Sequence, residues 1–430
     1  MIPATQWPST RAAWGMTLAL TFAYAIGFLH RIGISLFVEP MRADLALSDT
    51  AIGLITGACF AIPYTLSAPF MGWLVDRFHR LRLIAVCALI WSAGTAFGVF
   101  SYMSIVVGRI VTGAAQSIVQ PGSTSLIADM FPPERRATGY GVFVAGTALG
   151  TSGAYFAAAA AAVAVGSLMA GPLGVADWQA AMMLLGGLGL LIPILLMGFR
   201  EPVRQELSEE PVSHGAAVRF VLRRGWVFAA LFGGVAFAFA AMYGQLAFMP
   251  ALFMRKYAWA AQDVALVFGA IAGVVGVFGS VSVGWVTDWL TRRGFAHASW
   301  LVCLWGSLAC LVPGALAPLM PDGKWCMALF ALSGVFANYP AVAVLAAIAD
   351  ITPNELRGRM TALYTALVGL VSATFGPLAV GSLNDFWPGG SAIDLALSAT
   401  FAGSAAGSFL LLAGAYPAFR RLTRAVTDGC

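Results

Sequence analysis

Runs of about twenty apolar residues, repeated along most of the chain, are the feature that most limits what this sequence can fold into. A bilayer core of about 30 Å needs roughly that length of helix to cross it. Twelve such runs are predicted, near 14–37, 50–74, 82–100, 102–130, 136–165, 177–199, 222–253, 262–288, 297–318, 324–350, 358–384 and 394–417. They are numbered here as spans 1 to 12. The chain is 60% hydrophobic and only 10% charged over its 430 residues. An ordinary soluble domain carries about 25% charged residues, so this composition implies a membrane interior as the solvent. The first run resembles a signal peptide in isolation, but eleven more follow, so an uncleaved first helix is expected.

The net charge of +5 does not imply a nucleic-acid partner, because the basic residues are scattered between apolar runs. Eighteen of the 24 lysines and arginines fall in loops on the side of the N-terminus. Only Arg42, Arg255, Lys256 and Lys324 lie in the opposite loops, and Arg31 and Arg109 fall inside spans. Cytoplasmic loops hold the excess of positive charge. Both termini and the central polar segment are therefore expected in the cytoplasm of a multi-pass protein of the bacterial inner membrane. The six cysteines contain no C-x-x-C pair and read as small hydrophobes. The dispersed histidines offer no metal site, and no cofactor is expected.

The two halves repeat one another. Ile127-Ala128-Asp129, Pro132, Glu134 and Arg136 recur as Ile348-Ala349-Asp350, Pro353, Glu355 and Arg357, all offset by 221. Gly72 and Asp76 recur as Gly284 and Asp288. The expected architecture is all-α, two pseudo-symmetric six-helix bundles at 1–199 and 222–430, joined by a cytoplasmic linker at 200–221. Parallel repeats of this kind put a substrate site near the midplane.

Several stretches resemble the major facilitator superfamily. Gly72-Trp73-Leu74-Val75-Asp76-Arg77-Phe78-His79-Arg80 is similar to its G-x-L-a-D-r-x-G-r-k motif, with His79 at the usual Gly and Leu81 at the usual Lys. Gly284-Trp285-Val286-Thr287-Asp288 is a degenerate copy, and Arg109-Ile110-Val111-Thr112-Gly113 looks like the R-x-x-x-G motif of span 4. FLHRIGISLFVEPMRADLALSDTAIGLITG from Phe28, SLIADMFPPERRATGYGVF from Ser125 and ITPNELRGRMTALYTAL from Ile351 are most similar to the bacterial Spinster-type, sphingolipid and lysolipid transporter-like branch. The resemblance implies a transporter working by alternating access. It also implies a cytoplasmic charge latch built from Asp76, Arg77, Arg80, Asp129 and Arg136, echoed by Asp288, Asp350, Glu355 and Arg357. The branch has an Asp-Arg pair in span 1 and a Glu in span 4. This chain has His30-Arg31 and Ala115-Gln116-Ser117 instead.

Ionisable groups within hydrocarbon cost at least ~2.5 kcal/mol at midspan and mark functional positions by default. Arg31 shares a helix face with Tyr24, Gly27 and Ser35, while His30 points about 100° away. Arg109 opens a strip with Thr112, Gly113, Gln116, Gln120 and Ser123. Either arginine serves a substrate or braces neighbouring helices. No Asp or Glu lies near midspan, so the chain's interior charge is cationic and suited to an anion. The candidate substrate residues are Tyr24, Arg31, Arg109, Gln116, Gln120, Tyr243, Gln245, Asn338 and Tyr339. His30 is the candidate for proton coupling, against a structural imidazole. A small or amphipathic organic anion is the expected substrate, with lysolipid transport and proton-independent facilitation as alternatives. Surrounding lipids, and protons if the transport is coupled, complete the expected partners of a monomer. A channel needs a pore lined by rings of like groups. An enzyme needs a nucleophile–base set, and none is present.

Overall fold

The computed structural model describes residues 7–168, 174–204, 224–295, 297–352, 354–387 and 392–427. Most of the linker therefore lies outside the described residues. Every regular element among those described is helical. Twelve helical stretches are long and apolar enough to cross a bilayer. Span 1 (Thr10–Leu45) runs well past the apolar core marked in the sequence, while spans 2 to 6 begin and end close to theirs and span 7 (Gly225–Tyr257) is shifted by only a few residues.

Three local irregularities shape the first half. Span 1 starts on Ser9, whose hydroxyl accepts from the Ala12 amide at 3.3 Å, and tightens to a 3-10 turn at Gly33–Phe37 just after Arg31. Span 2 (Asp49–Arg77) starts on Ser48 and widens to a π turn at Leu54–Ala58. Such wide turns rotate whatever follows, here Cys59 and Phe60, and they recur at functional sites. Span 4 (Tyr102–Met130) breaks at Ser117–Ile118, one residue after Gln116.

Close helix contact is made through small residues, as membrane helices favour. Gly113 in span 4 lies against the backbone carbonyl of Phe60 in span 2, where a β-carbon has no room. Gly146 and Gly150 in span 5 lie equally close to the Thr21 and Ala25 carbonyls of span 1. These contacts set Arg31, Phe60 and Arg109 beside one another.

Two compact units organise the chain. One comprises the described residues up to Leu47, those from Cys59 to the start of the linker, and Trp259–Gly273. The other comprises Ser48–Ala58, span 7 through Ala258, and the chain from Val274 onward. In the second unit Trp300 stacks on Phe419 at 4.3 Å and donates its indole N–H to the Leu412 carbonyl at 3.0 Å. Spans 2 and 8 are each divided between units. The N-terminal end of span 2 is fixed in the second unit by Asp49, 1% exposed at its side chain, which takes two 2.8 Å bonds from Arg255 and one from Asn384. The start of span 8 is fixed in the first unit, where Ser152 donates to the Gly269 carbonyl at 2.5 Å.

Candidate substrate and gating sites

Arg31 and Arg109 meet at one aromatic ring. Their guanidinium carbons lie 4.9 and 4.8 Å from the centroid of Phe60. Arg31 also lies 5.6 Å from the Phe28 ring. Phe28 meets Tyr24 edge-on at 5.2 Å, and Tyr24 stacks on Phe143 of span 5 at 4.6 Å. The polar strip expected on span 1 is therefore lined by rings. A guanidinium over an aromatic face gains about 0.5–2 kcal/mol, more as water is excluded, and keeps its charge. Arg109 is 5% exposed and donates to the His30 carbonyl at 3.4 Å, whereas Arg31 is partly exposed.

Gln116 is buried against Gly27, one turn before Arg31, and its amide nitrogen has no partner among the described residues. Gln120 is half-buried beyond the break in span 4. Thr112 turns toward span 3, donating to the Trp91 carbonyl at 3.4 Å. His30 turns to span 6, where its Nε2 donates to the Leu185 carbonyl at 2.7 Å. The ring is 2% exposed, and its Nδ1 has no partner among the described residues. His30 and Arg31 thus face different neighbours, as their offset around the helix requires.

The second unit supplies no charge to match. Gln245 donates to the Gly314 carbonyl at 3.1 Å and ties span 7 to span 9. Asn338 donates to Gly334 of its own helix at 2.8 Å and rests against Gly279. Tyr339 lies 5.6 Å from Phe336, and Tyr243 stacks with Phe239 at 6.4 Å.

At the opposite end of spans 2 to 4, Arg80 is 1% exposed and fully engaged. It pairs with Asp129, donates to Glu201 at 2.8 Å and to Ser125 at 2.9 Å, and reaches the Pro202 carbonyl at 3.2 Å. His79 lies 2.6 Å from Glu201, and Arg204 donates to the Val75 carbonyl at 2.6 Å. Asp76 is exposed and joins no partner among the described residues, while Arg77 covers Trp73 at 4.4 Å. Arg136 is half-buried. In the second half, Asp350 accepts from Ser299 at 2.5 Å and Asp288 is exposed, its backbone carbonyl accepting from Arg292 at 3.3 Å. The side chains of Glu355 and Arg357 lie outside the described residues. Glu201 is the partner of Arg80 and His79 that the sequence alone did not single out. Its signal was an acid directly after span 6, flanked by Arg200 and Arg204.

The model of the Major Facilitator Superfamily matches residues 20–321. The chain belongs to that superfamily. As a member it is a multi-pass membrane transporter rather than an enzyme. An MFS-type efflux pump of Mycolicibacterium smegmatis is 28% identical over 87% of this chain and 85% of its own length. The hexuronate transporter of Bacillus subtilis is 24% identical over 86% of the chain and 87% of its own. Among solved structures, a bacterial homologue of the human lysosomal transporter Spinster, inward-facing and unoccupied, matches with a TM-score of 0.81. It is 22% identical, with 97% of this chain and 98% of the homologue covered, so the superfamily fold is shared.

Proposed function

We propose that this facilitator is a secondary transporter that moves a small or amphipathic organic anion across the bacterial inner membrane by alternating access. The observation that carries the proposal is the pair of guanidiniums on Phe60; the Gln116 amide, without a partner among the described residues, lies against Gly27, one turn before Arg31. Buried cations in a low-dielectric site attract anions and orient them through the planar guanidinium fork. Arg31 and Arg109 bind the anionic group, and Tyr24, Gln116 and Gln120 orient it. A relative that carries hexuronate fits this chemistry.

Cys59 offers a direct test. It precedes Phe60, and it alone of the described cysteines is not buried. In proteoliposomes, a transported anion should slow alkylation of Cys59 by a maleimide while neutral sugars leave it unchanged. Anion uptake should saturate and should accelerate when the same anion is loaded on the far side. Linear, non-saturating flux would indicate a channel. Protection by cationic solutes alone would overturn the anion reading.

Proton symport is the second reading, and the observation favouring it is the buried Nδ1 of His30, which has no partner among the described residues. An anion beside Arg31 and a proton on His30 attract one another, so each tightens the binding of the other.

A further inference from the structure

His30 and Arg31 are neighbours in sequence but belong to different surroundings. Arg31 lies over Phe60, whereas the buried His30 ring reaches spans 3 and 6. Its Nε2–H donates to the Leu185 carbonyl at 2.7 Å, which leaves Nδ1 as the basic nitrogen. One turn on along span 6 is Gly189. A β-carbon there would collide with the Ser92 hydroxyl of span 3 and lie 2.9 Å from His30 Cε1, the ring carbon bonded to Nδ1. The backbone at Gly189 is right-handed, with φ −67°, so the position requires space rather than an unusual conformation. Ser92 is 2% exposed, and both its Oγ and the His30 Nδ1 lack a hydrogen-bond partner among the described residues. Two such atoms in one buried place are costly unless they serve each other. A turn of the serine side chain or one bridging water joins them.

The hydroxyl suits both charge states of the ring. It donates to a bare Nδ1 and, after rotating, accepts from a protonated one. A proton added at Nδ1 leaves the Nε2–H in place and gives the ring one positive charge. Spans 3, 5 and 6 hold no charged residue over 83–100, 137–168 and 178–199, where their titratable groups are Cys87, Tyr140 and Tyr155. The charges near the ring are Arg31 on its own helix and Arg109 of span 4, which donates to the His30 carbonyl at 3.4 Å and lies on Phe60 with Arg31. Arg109 thus touches both places, and its charge opposes the proton less once an anion has bound.

We infer that Ser92 is the positioning residue for the coupling proton, which is held on His30 in a pocket of spans 1, 3 and 6 that Gly189 keeps open, apart from the anion. The inference rests on the proton-symport reading of His30.

Nitrogen-15 NMR of the full chain in nanodiscs, with labelled histidine, tests this without any substrate. The chain has four histidines, and the spectrum of His30→Gln identifies the His30 signal. In the wild type, falling pH should convert the Nε2–H ring to the doubly protonated form. Ser92→Ala should lower the proton affinity of His30 about fivefold or more, because a hydrogen bond from a charged donor is worth more than one to a neutral ring. Gly189→Ala, whose methyl displaces the hydroxyl, should act in the same direction. If either variant fails to fold, Ser92→Cys, near in size but a weak donor and acceptor, supplies the comparison. A His30 titration unchanged in Ser92→Ala and Ser92→Cys would overturn the inference and leave the symport reading standing. A His30 that stays neutral down to about pH 4 in the folded wild type would overturn both.

Discussion

Arg31 and Arg80 show how differently two membrane-protein arginines can be used. Arg31 is partly exposed, and the rings of Phe28 and Phe60 support its guanidinium. Removing its charge should leave folding intact while abolishing uptake of the transported anion. Arg31→Lys should recover only part of that uptake, because an ammonium lacks the planar fork. Normal flux in Arg31→Gln vesicles, at equal protein content, would exclude the residue from the site. Arg80 is buried, and its bonds to Asp129, Ser125, Glu201 and Pro202 leave it little freedom. Breaking a buried pair by removing one partner costs about 3–5 kcal/mol. Arg80→Met should therefore lower the unfolding temperature clearly, and Asp129→Asn or Glu201→Gln should each lower it less. A melting temperature unchanged in Arg80→Met would show that the network carries no energetic weight.

At the scale of elements, the twelve spans were legible because bilayer thickness fixes helix length, and composition then marks each run. The predicted 102–130 and 177–199 correspond closely to Tyr102–Met130 and Asp177–Met197. Helical phase was legible too, since it separated His30 from Arg31. The irregularities were less so. The π turn at Leu54–Ala58 contains no residue type that demands its geometry, whereas the break at Ser117–Ile118 has a signal in Pro121, which has no N–H for the Ser117 carbonyl four residues before it. Nor did the sequence reveal what His30 and Gln245 bond to. Both partners are backbone carbonyls, of Leu185 and Gly314, which every residue possesses. Glycine spacing was visible, but only the structure pairs Gly113 with Phe60. That pairing makes a prediction: Gly113→Val forces spans 2 and 4 apart at the ring that Arg31 and Arg109 share. Overpacking typically costs about 1–3 kcal/mol. The variant should insert and unfold at a lower temperature, and its affinity for the anion should fall further than that of Gly141→Ala, a change at a glycine with open space around it. Equal affinities in the two variants would show that the span 2–span 4 contact does not position the site.

Across the whole molecule, a duplicated sequence has diverged in charge. Both midspan arginines and the midspan histidine belong to the first half, and the second half answers with Tyr243, Gln245, Asn338 and Tyr339, which carry no charge. A midspan group able to titrate near neutral pH, as energy coupling needs, is therefore found only in the first half of the sequence, with Asp129 and Asp350 near the cytoplasmic ends as the alternatives. Gln116 stands where the Spinster-type branch has an acid and cannot carry a proton, which leaves His30 as the titratable group nearest Arg31 in sequence. Its Nε2 is committed to Leu185, so a proton would be accepted at Nδ1, inside the helix bundle. Such a proton and an anion on Arg31 would bind with positive coupling, the thermodynamic requirement for symport. Wild-type vesicles given an inward proton gradient should then accumulate the anion above its external concentration. His30→Gln, which keeps a side-chain donor for the Leu185 carbonyl, should still exchange anion for anion but should not accumulate it. Identical steady-state uptake with and without the gradient would make the protein a facilitator and His30 a brace between spans 1 and 6.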